Sequence, residues 1–215
     1  MNYEAKKNMT LFFDFDGTLA DTMAEAVDIL NRIGPEYDLK KIDSEELKKI
    51  RKMDAREIIK YSGLPLLKIP FLISRVKMEL KKNIENVEPF ANIKPVIEEL
   101  AREKYEMGIV TTNLKESVEK FLIRHDMNFF SMIHSESSIF GKGPMLKKIM
   151  KEKKLAPNNV LYLGDEVRDI EAARNAGVRI ISVTWGFNEA ERLEKHVPDW
   201  LIQSPEEILN ILRNI

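Results

Sequence analysis

LFFDFDGTLADT, residues 11–22, ends an apolar run in two aspartates at alternate positions. Side chains two apart in an extended segment point the same way, so Asp14 and Asp16 converge at the exit of a strand. Like charges that close need a cation, a proton or both. A turn whose aspartates cap the next helix is one reading, but Asp21 and Thr22 already stand where that cap belongs. A calcium loop is another, with Asp14, Asp16 and Glu25 at its first, third and twelfth positions. That reading fails because Leu19 occupies the position that needs glycine, and a strand leads in rather than a helix. The third reading is phosphoryl chemistry, in which one carboxylate attacks phosphorus, the second moves the proton, and a divalent cation offsets the repulsion. Gly17 lets the backbone turn tightly, so that N–H groups approach phosphate oxygens.

From Asn92 onward, short apolar runs alternate with helical periodicity, the pattern of an α/β fold with a parallel sheet. Ile93, Val96, Ile97 and Leu100 share one helical face; MGIV (107–110), SMIH (131–134), VLYL (160–163), RIISV (179–183) and DWLI (199–202) read as strands. Pro144 suits a helix's first turn, followed by the stripe Leu146, Ile149 and Met150. Residues 167–176 form a helix closed by Gly177, and Ser204 with Glu207 reads as the capping-box start of the last helix. Between Thr22 and Pro89 strand signals vanish. Thr22 and Glu25 read as a capping box, and Met23, Ala26, Val27, Leu30 and Ile33 recur at helical spacing. This segment is too long for a simple crossover. We therefore expect a helical cap at 22–88 inserted into a Rossmann-like α/β core made of 1–21 and 89–215.

Further chemistry falls at strand ends, where parallel sheets bind ligands. Thr111 follows GIV, Lys142 stands between glycines in FGKGP, and Asp165 and Asp169 lie in LGDEVRD. Singly, these read as a helix cap, a solvated lysine and helix-start acids; together with Asp14 and Asp16, at successive strand ends, they form a set. The set DxDGT, a strand-end threonine, an isolated lysine and GDxxxD resembles the haloacid dehalogenase superfamily of phosphohydrolases. The likeness runs over residues 9 to 215 and is nearest to the phosphoglycolate-phosphatase-like members. It implies Asp14 as nucleophile, Asp16 as general acid/base, and Thr111 and Lys142 as a phosphate clamp. It further implies phosphate contacts from Phe15, Gly17, Thr112 and Asn113. Magnesium would be held by Asp14, the main-chain oxygen of Asp16 and Asp165, with Asp169 supporting. Two departures stand out. Glu166 adds a negative charge where many relatives have a small hydroxyl residue, and Gly143 replaces a proline often found after the lysine. The dehalogenase branch lacks the second aspartate, which is present here as Asp16.

The resulting expectation is a magnesium-dependent phosphatase of a small phosphorylated metabolite, with phosphoglycolate as first choice. A phosphomutase of the same superfamily and a phospho-accepting receiver module are the alternatives. Lysine plus arginine number 34 against 35 acids, giving no argument for nucleic-acid or membrane partners. The absence of cysteine removes disulfides, thiol nucleophiles and cysteine-ligated metals. With no signal-like or membrane-spanning run, we expect a cytoplasmic protein, monomer or dimer. His125, His134 and His196 read as structural, Lys147, Lys148, Lys151, Lys153 and Lys154 as a solvated face, and Met53, Met78 and Met107 as packing residues. Trp185 stands after a strand end, either lining the site or packing at its rim. Arg51, Lys52 and Arg56 form a basic cluster in the cap, from which Arg56 is expected to meet the far end of an anionic substrate.

Overall fold

Six strands form one parallel sheet in the order β3-β2-β1-β4-β5-β6. They are β1 (Thr10–Phe13), β2 (Glu106–Thr111), β3 (Met132–Ser135), β4 (Val160–Gly164), β5 (Arg179–Val183) and β6 (Trp200–Ile202). The computed structural model describes residues 9–135 and 141–215. The polar first eight residues, on which the expectation of no leader partly rests, lie outside the described residues, as does 136–140.

β1 and β4 are buried throughout, as strands covered on both faces must be. Alternation sends Leu11 and Phe13 into one core layer and Phe12 into the other. The first layer is closed by α5 (Ile93–Arg102), α6 (Lys115–Arg124) and α10 (Glu207–Asn214). The second is closed by α7 (Lys142–Lys153), α8 (Val167–Ala176) and Leu193 of the short α9 (Ala190–Glu194). The stripes read at 93–100 and 146–150 are buried as expected. Gly177 closes α8 in the left-handed region.

Between β1 and β2, and before α5, lie α1 (Met23–Ile33), α2 (Ser44–Ile50), α3 (Ala55–Ser62) and α4 (Ile69–Asn83). α1 and α4 pack through a small core of their own, with Ile29, Ile33 and Leu80 buried and Leu72 and Val76 against them. The chain enters and leaves this insertion side by side. Ala20 bridges Pro89, Asp21 N–H donates to Glu88 O at 2.9 Å, and Phe90 N–H donates to Leu19 O at 3.2 Å.

Two local expectations are corrected. Thr22 precedes α1 but makes no capping bond, because its hydroxyl is spent on Asp16; Glu25 accepts from Asn83 Nδ2 on α4 instead. Met78 is exposed, since it lies on the outer side of α4, whereas Met107 is buried in β2. The five lysines on and just after α7 are solvent-exposed, as their spacing predicts.

Gly108 pairs with Phe12 on one side and Met132 on the other. A Cβ there would lie 2.7 Å from both Phe12 Cε1 and Met132 Cγ. Gly108→Ala should therefore cost about 1–3 kcal/mol through overpacking, read as a lowered urea midpoint. A variant as stable as the wild type would show that this layer yields freely.

Candidate active site

The strand order reverses between β1 and β4, and in open parallel sheets that switch point opens a crevice at the carboxyl ends. Asp14 follows β1 directly, tied by its N–H to Leu163 O at 2.8 Å. Phe15 turns inward, fully buried and edge-on to Phe121 at 5.0 Å, which frees Asp16 to face back beside Asp14. Gly17 turns the chain with φ 77, and a Cβ there would come within 2.1 Å of Asp165 Oδ2. Only glycine meets both conditions. Its N–H donates to Ala20 O at 2.9 Å and holds the turn.

Lys142 opens α7, and only 3% of its side chain is exposed. Its Nζ forms an ion pair with Asp14 Oδ2 and donates to Asp169 Oδ1 at 2.7 Å. Asp169 is saturated: Oδ1 also accepts from the Tyr162 hydroxyl at 3.2 Å, and Oδ2 accepts from the N–H groups of Asp165 and Glu166 at 3.1 and 3.0 Å. Burial alone would raise its pKa, but Lys142 and Arg168 outweigh burial and hold it below the ordinary value. Asp14 is less well satisfied. Oδ1 accepts from Phe15 N–H at 2.7 Å, whereas buried Oδ2 meets, among the described residues, only the Lys142 ammonium. Burial raises Asp14 to about 7, against the pull of Lys142. Lys142 itself is desolvated, yet Asp14 and Asp169 raise its pKa above the usual lysine value.

Asp165, fully buried after β4, accepts from Thr18 Oγ1 at 3.1 Å and from Phe187 N–H at 2.7 Å. Burial and then the neighbouring Glu166 push its pKa well up. Carboxylate oxygens of Asp14, Asp165 and Asp169 lie within 4.8 Å of one another, a cluster suited to a metal ion. Asp16 Oδ1 accepts from Asn113 Nδ2 at 3.0 Å; burial raises Asp16, while Thr22 and Asn113 pull it down. Thr111 ends β2 fully buried, and its Oγ1 accepts from Asn113 N–H at 2.9 Å, leaving the hydroxyl proton free to donate. Thr112, between them, is half-buried.

A model described as haloacid dehalogenase-like hydrolase matches residues 11–183. The chain belongs to this family. A phosphoglycolate phosphatase of Synechococcus elongatus is 31% identical over 206 residues, spanning 95% of this chain and 97% of the relative. A pyrophosphatase PpaX of Oceanobacillus iheyensis is 25% identical over 217 residues, spanning 94% and 96%. Among solved structures, a haloacid dehalogenase-like hydrolase of Streptococcus pneumoniae superposes with a TM-score of 0.80 at 25% identity, covering 94% of this chain and 97% of that one. The chain is thus a phosphatase-type haloacid dehalogenase-like hydrolase, and the receiver-module alternative falls away.

In this haloacid dehalogenase-like hydrolase several contributors carry no sequence signature. The extra charge of Glu166 is met by Arg168, which forms an ion pair with its Oε1. The loop after β5 joins the site to the insertion. Asn188 Oδ1 accepts from Val167 N–H at 3.0 Å, while its Nδ2 donates to Arg51 O and Met53 O at 3.2 and 3.0 Å. Arg51 reaches into the same loop, donating to Phe187 O and Gly186 O at 2.9 and 3.0 Å. Trp185 donates to Thr18 O at 3.2 Å and lies against Phe90, closing the rim. Arg56 is exposed on α3 and lines a surface groove with Ile59, Leu64 and Leu66.

The Asp14 shift has a stability consequence. With its folded pKa at about 7 against 3.8 for the free group, the folded protein holds this proton more tightly, so stability falls as pH rises through that window. Asp14→Asn removes the cost. In EDTA at about pH 8 the variant should melt higher than wild type, and the gap should close towards about pH 4. A gap that stays constant with pH would show that Asp14 does not carry the shift.

Proposed function

We propose that the protein is a magnesium-dependent phosphatase that hydrolyses a small phosphorylated metabolite, phosphoglycolate first among candidates, through an aspartyl-phosphate on Asp14. The observation that carries this reading is Asp14 Oδ2: buried at the strand exit and, among the described residues, met by the Lys142 ammonium alone. A carboxylate so placed is a nucleophile held short of its full complement of donors. Its oxygen attacks phosphorus, and the bond to the leaving alkoxide breaks. Asp16, raised by burial and steadied by Asn113 and Thr22, gives the alkoxide its proton. It then takes a proton from the water that attacks the aspartyl-phosphate, releasing phosphate and restoring Asp14. Thr111 and Lys142 clamp the phosphoryl oxygens, with further contacts from Thr112, Asn113 and the backbone at Phe15 and Gly17.

Magnesium fits the donor set, which is all oxygen, as this cation prefers. Asp14, Asp165 and the main-chain oxygen of Asp16 would hold it. Asp169, with both oxygens already engaged, positions Lys142 and the α8 N-terminus instead. Bound there, the cation offsets the repulsion between the incoming phosphate and the carboxylates. Residues 22–88 act in this reading as a cap on the core formed by 1–21 and 89–215, excluding bulky substrates. A phosphomutase would use the same residues and differ in sending the phosphoryl group to a substrate hydroxyl instead of water.

Magnesium-dependent phosphate release from 4-nitrophenyl phosphate and phosphoglycolate tests the assignment. Asp14→Asn should lose at least roughly a thousandfold in kcat. Asp16→Asn should lose roughly 10²-fold or more on phosphoglycolate but much less on 4-nitrophenyl phosphate, whose leaving group needs little protonation. Near wild-type turnover by Asp14→Asn would end the covalent mechanism, and equal losses on both substrates would remove Asp16 from the proton path.

A further inference from the structure

The cations around the aspartates divide into those already committed and those still open. Lys142 is spent on Asp14 and Asp169, Arg51 on the carbonyls of Gly186 and Phe187, and Arg192 on Asp54 and Glu57. Of the others, Lys77 has no ion pair among the described residues, and Arg168 has Glu166 alone.

Arg168 lies between Asp165 and Asp169 in the first turn of α8. It meets Glu166 through one terminal nitrogen, while 44% of its side chain stays exposed. A guanidinium has five N–H donors in a planar fork, so one such contact leaves most of them free. The turn that carries it is tied to Asp169 by the N–H groups of Asp165 and Glu166, which places it at the mouth of the same crevice.

Lys77 comes from the insertion. On α4, Leu80 is buried in the insertion's own small core, whereas Lys81 forms an ion pair with Glu116 in the first turn of α6, three residues past Asn113. Residues four apart share a helix face, so Lys77 lies one turn along from Lys81 on the face turned to the core. It is half-buried and, among the described residues, makes no hydrogen bond or ion pair. Burial lowers its pKa, and the charges of Asp16 and Arg168 act on it in opposite directions.

We propose that Lys77 and Arg168 form a two-sided clamp, one cation from the helical insertion and one from the core, for the second anionic group of a short phosphomonoester whose phosphate is at Asp14. This rests on the phosphatase reading above and takes over the charge-matching role that the sequence suggested for Arg56. A half-buried ammonium without an ion pair is costly, and a bound anion relieves that cost. The two relatives are named for phosphoglycolate and pyrophosphate, each a phosphate joined to a second anion over a short span. The two substrate classes share the feature that this pair recognises.

The test measures binding and turnover separately. Calorimetric titration of the Asp14→Asn protein with phosphoglycolate and with 2-hydroxyethyl phosphate, an uncharged analogue of similar length, reads the clamp without chemistry. The carboxylate ligand should bind about tenfold or more tightly than the neutral one. Adding Lys77→Met or Arg168→Met should erase most of that preference while leaving the neutral ligand's affinity within about twofold, and Lys77→Arg or Arg168→Lys should restore part of it. With Asp14 intact, Lys77→Met should raise KM for phosphoglycolate while sparing kcat on 4-nitrophenyl phosphate. Pyrophosphate titrated alongside shows whether a second phosphate is taken as well. Equal losses for charged and neutral ligands, or no preference before mutation, would overturn the clamp. Absence of 4-nitrophenyl phosphate turnover alongside an intact, mutation-sensitive preference would instead overturn the phosphatase reading and leave the anion site standing.

Discussion

Lys142 Nζ lies between the carboxylates of Asp14 and Asp169 with almost none of its side chain open to water. The sheet brings Asp14, Asp16, Asp165 and Asp169 together at one edge, and four carboxylates cannot be desolvated there without compensation. The ammonium offsets two of them directly. Its position depends on Asp169, which Tyr162 and two backbone N–H groups of the β4–α8 turn hold in place. Asp14 and Asp165 are left with raised pKa values and spare lone pairs, as the proposed binding of a cation and a phosphate requires.

Close backbone approach is the second constraint. Gly17, Gly164 and Gly186 each lie where a Cβ would meet an aspartate side chain, Asp165 or Asp169, at 2.5 Å or less. The loop holding Gly186 also carries Phe187 and Asn188, which bind Asp165 and the start of α8 on one side and the Arg51–Met53 backbone on the other. Any movement of the insertion at this point is therefore transmitted to the residue proposed to hold the metal, through a few hydrogen bonds rather than an apolar interface.

The core was legible because buried parallel strands are nearly continuous apolar runs and their exits are marked by polar residues: Asp14, Thr111 and Asp165 stand at or just beyond strand ends. Long-range partners were not legible. Arg51 looks like an ordinary helix-face arginine, and its acceptors are about 135 residues away. Tyr162 reads as one more apolar residue of VLYL, since nothing local tells that its hydroxyl meets Asp169. Thr22 was ambiguous for another reason. A hydroxyl before a helix serves a cap by default, and only the approach of Asp16 redirects it. The oddity of Glu166 was visible, but its answer, Arg168 two residues on, needed the turn that brings the two side chains together.

Chemical trapping addresses the central claim, a phosphoryl group carried by Asp14, most directly. Asp16→Asn enzyme, slowed in releasing phosphate, would be mixed with magnesium and excess substrate, quenched in acid and reduced with borohydride, which converts an aspartyl-phosphate to homoserine. Peptide mass spectrometry should find homoserine at position 14. Product formation with unmodified aspartate at position 14, or with homoserine at another position, would contradict the account.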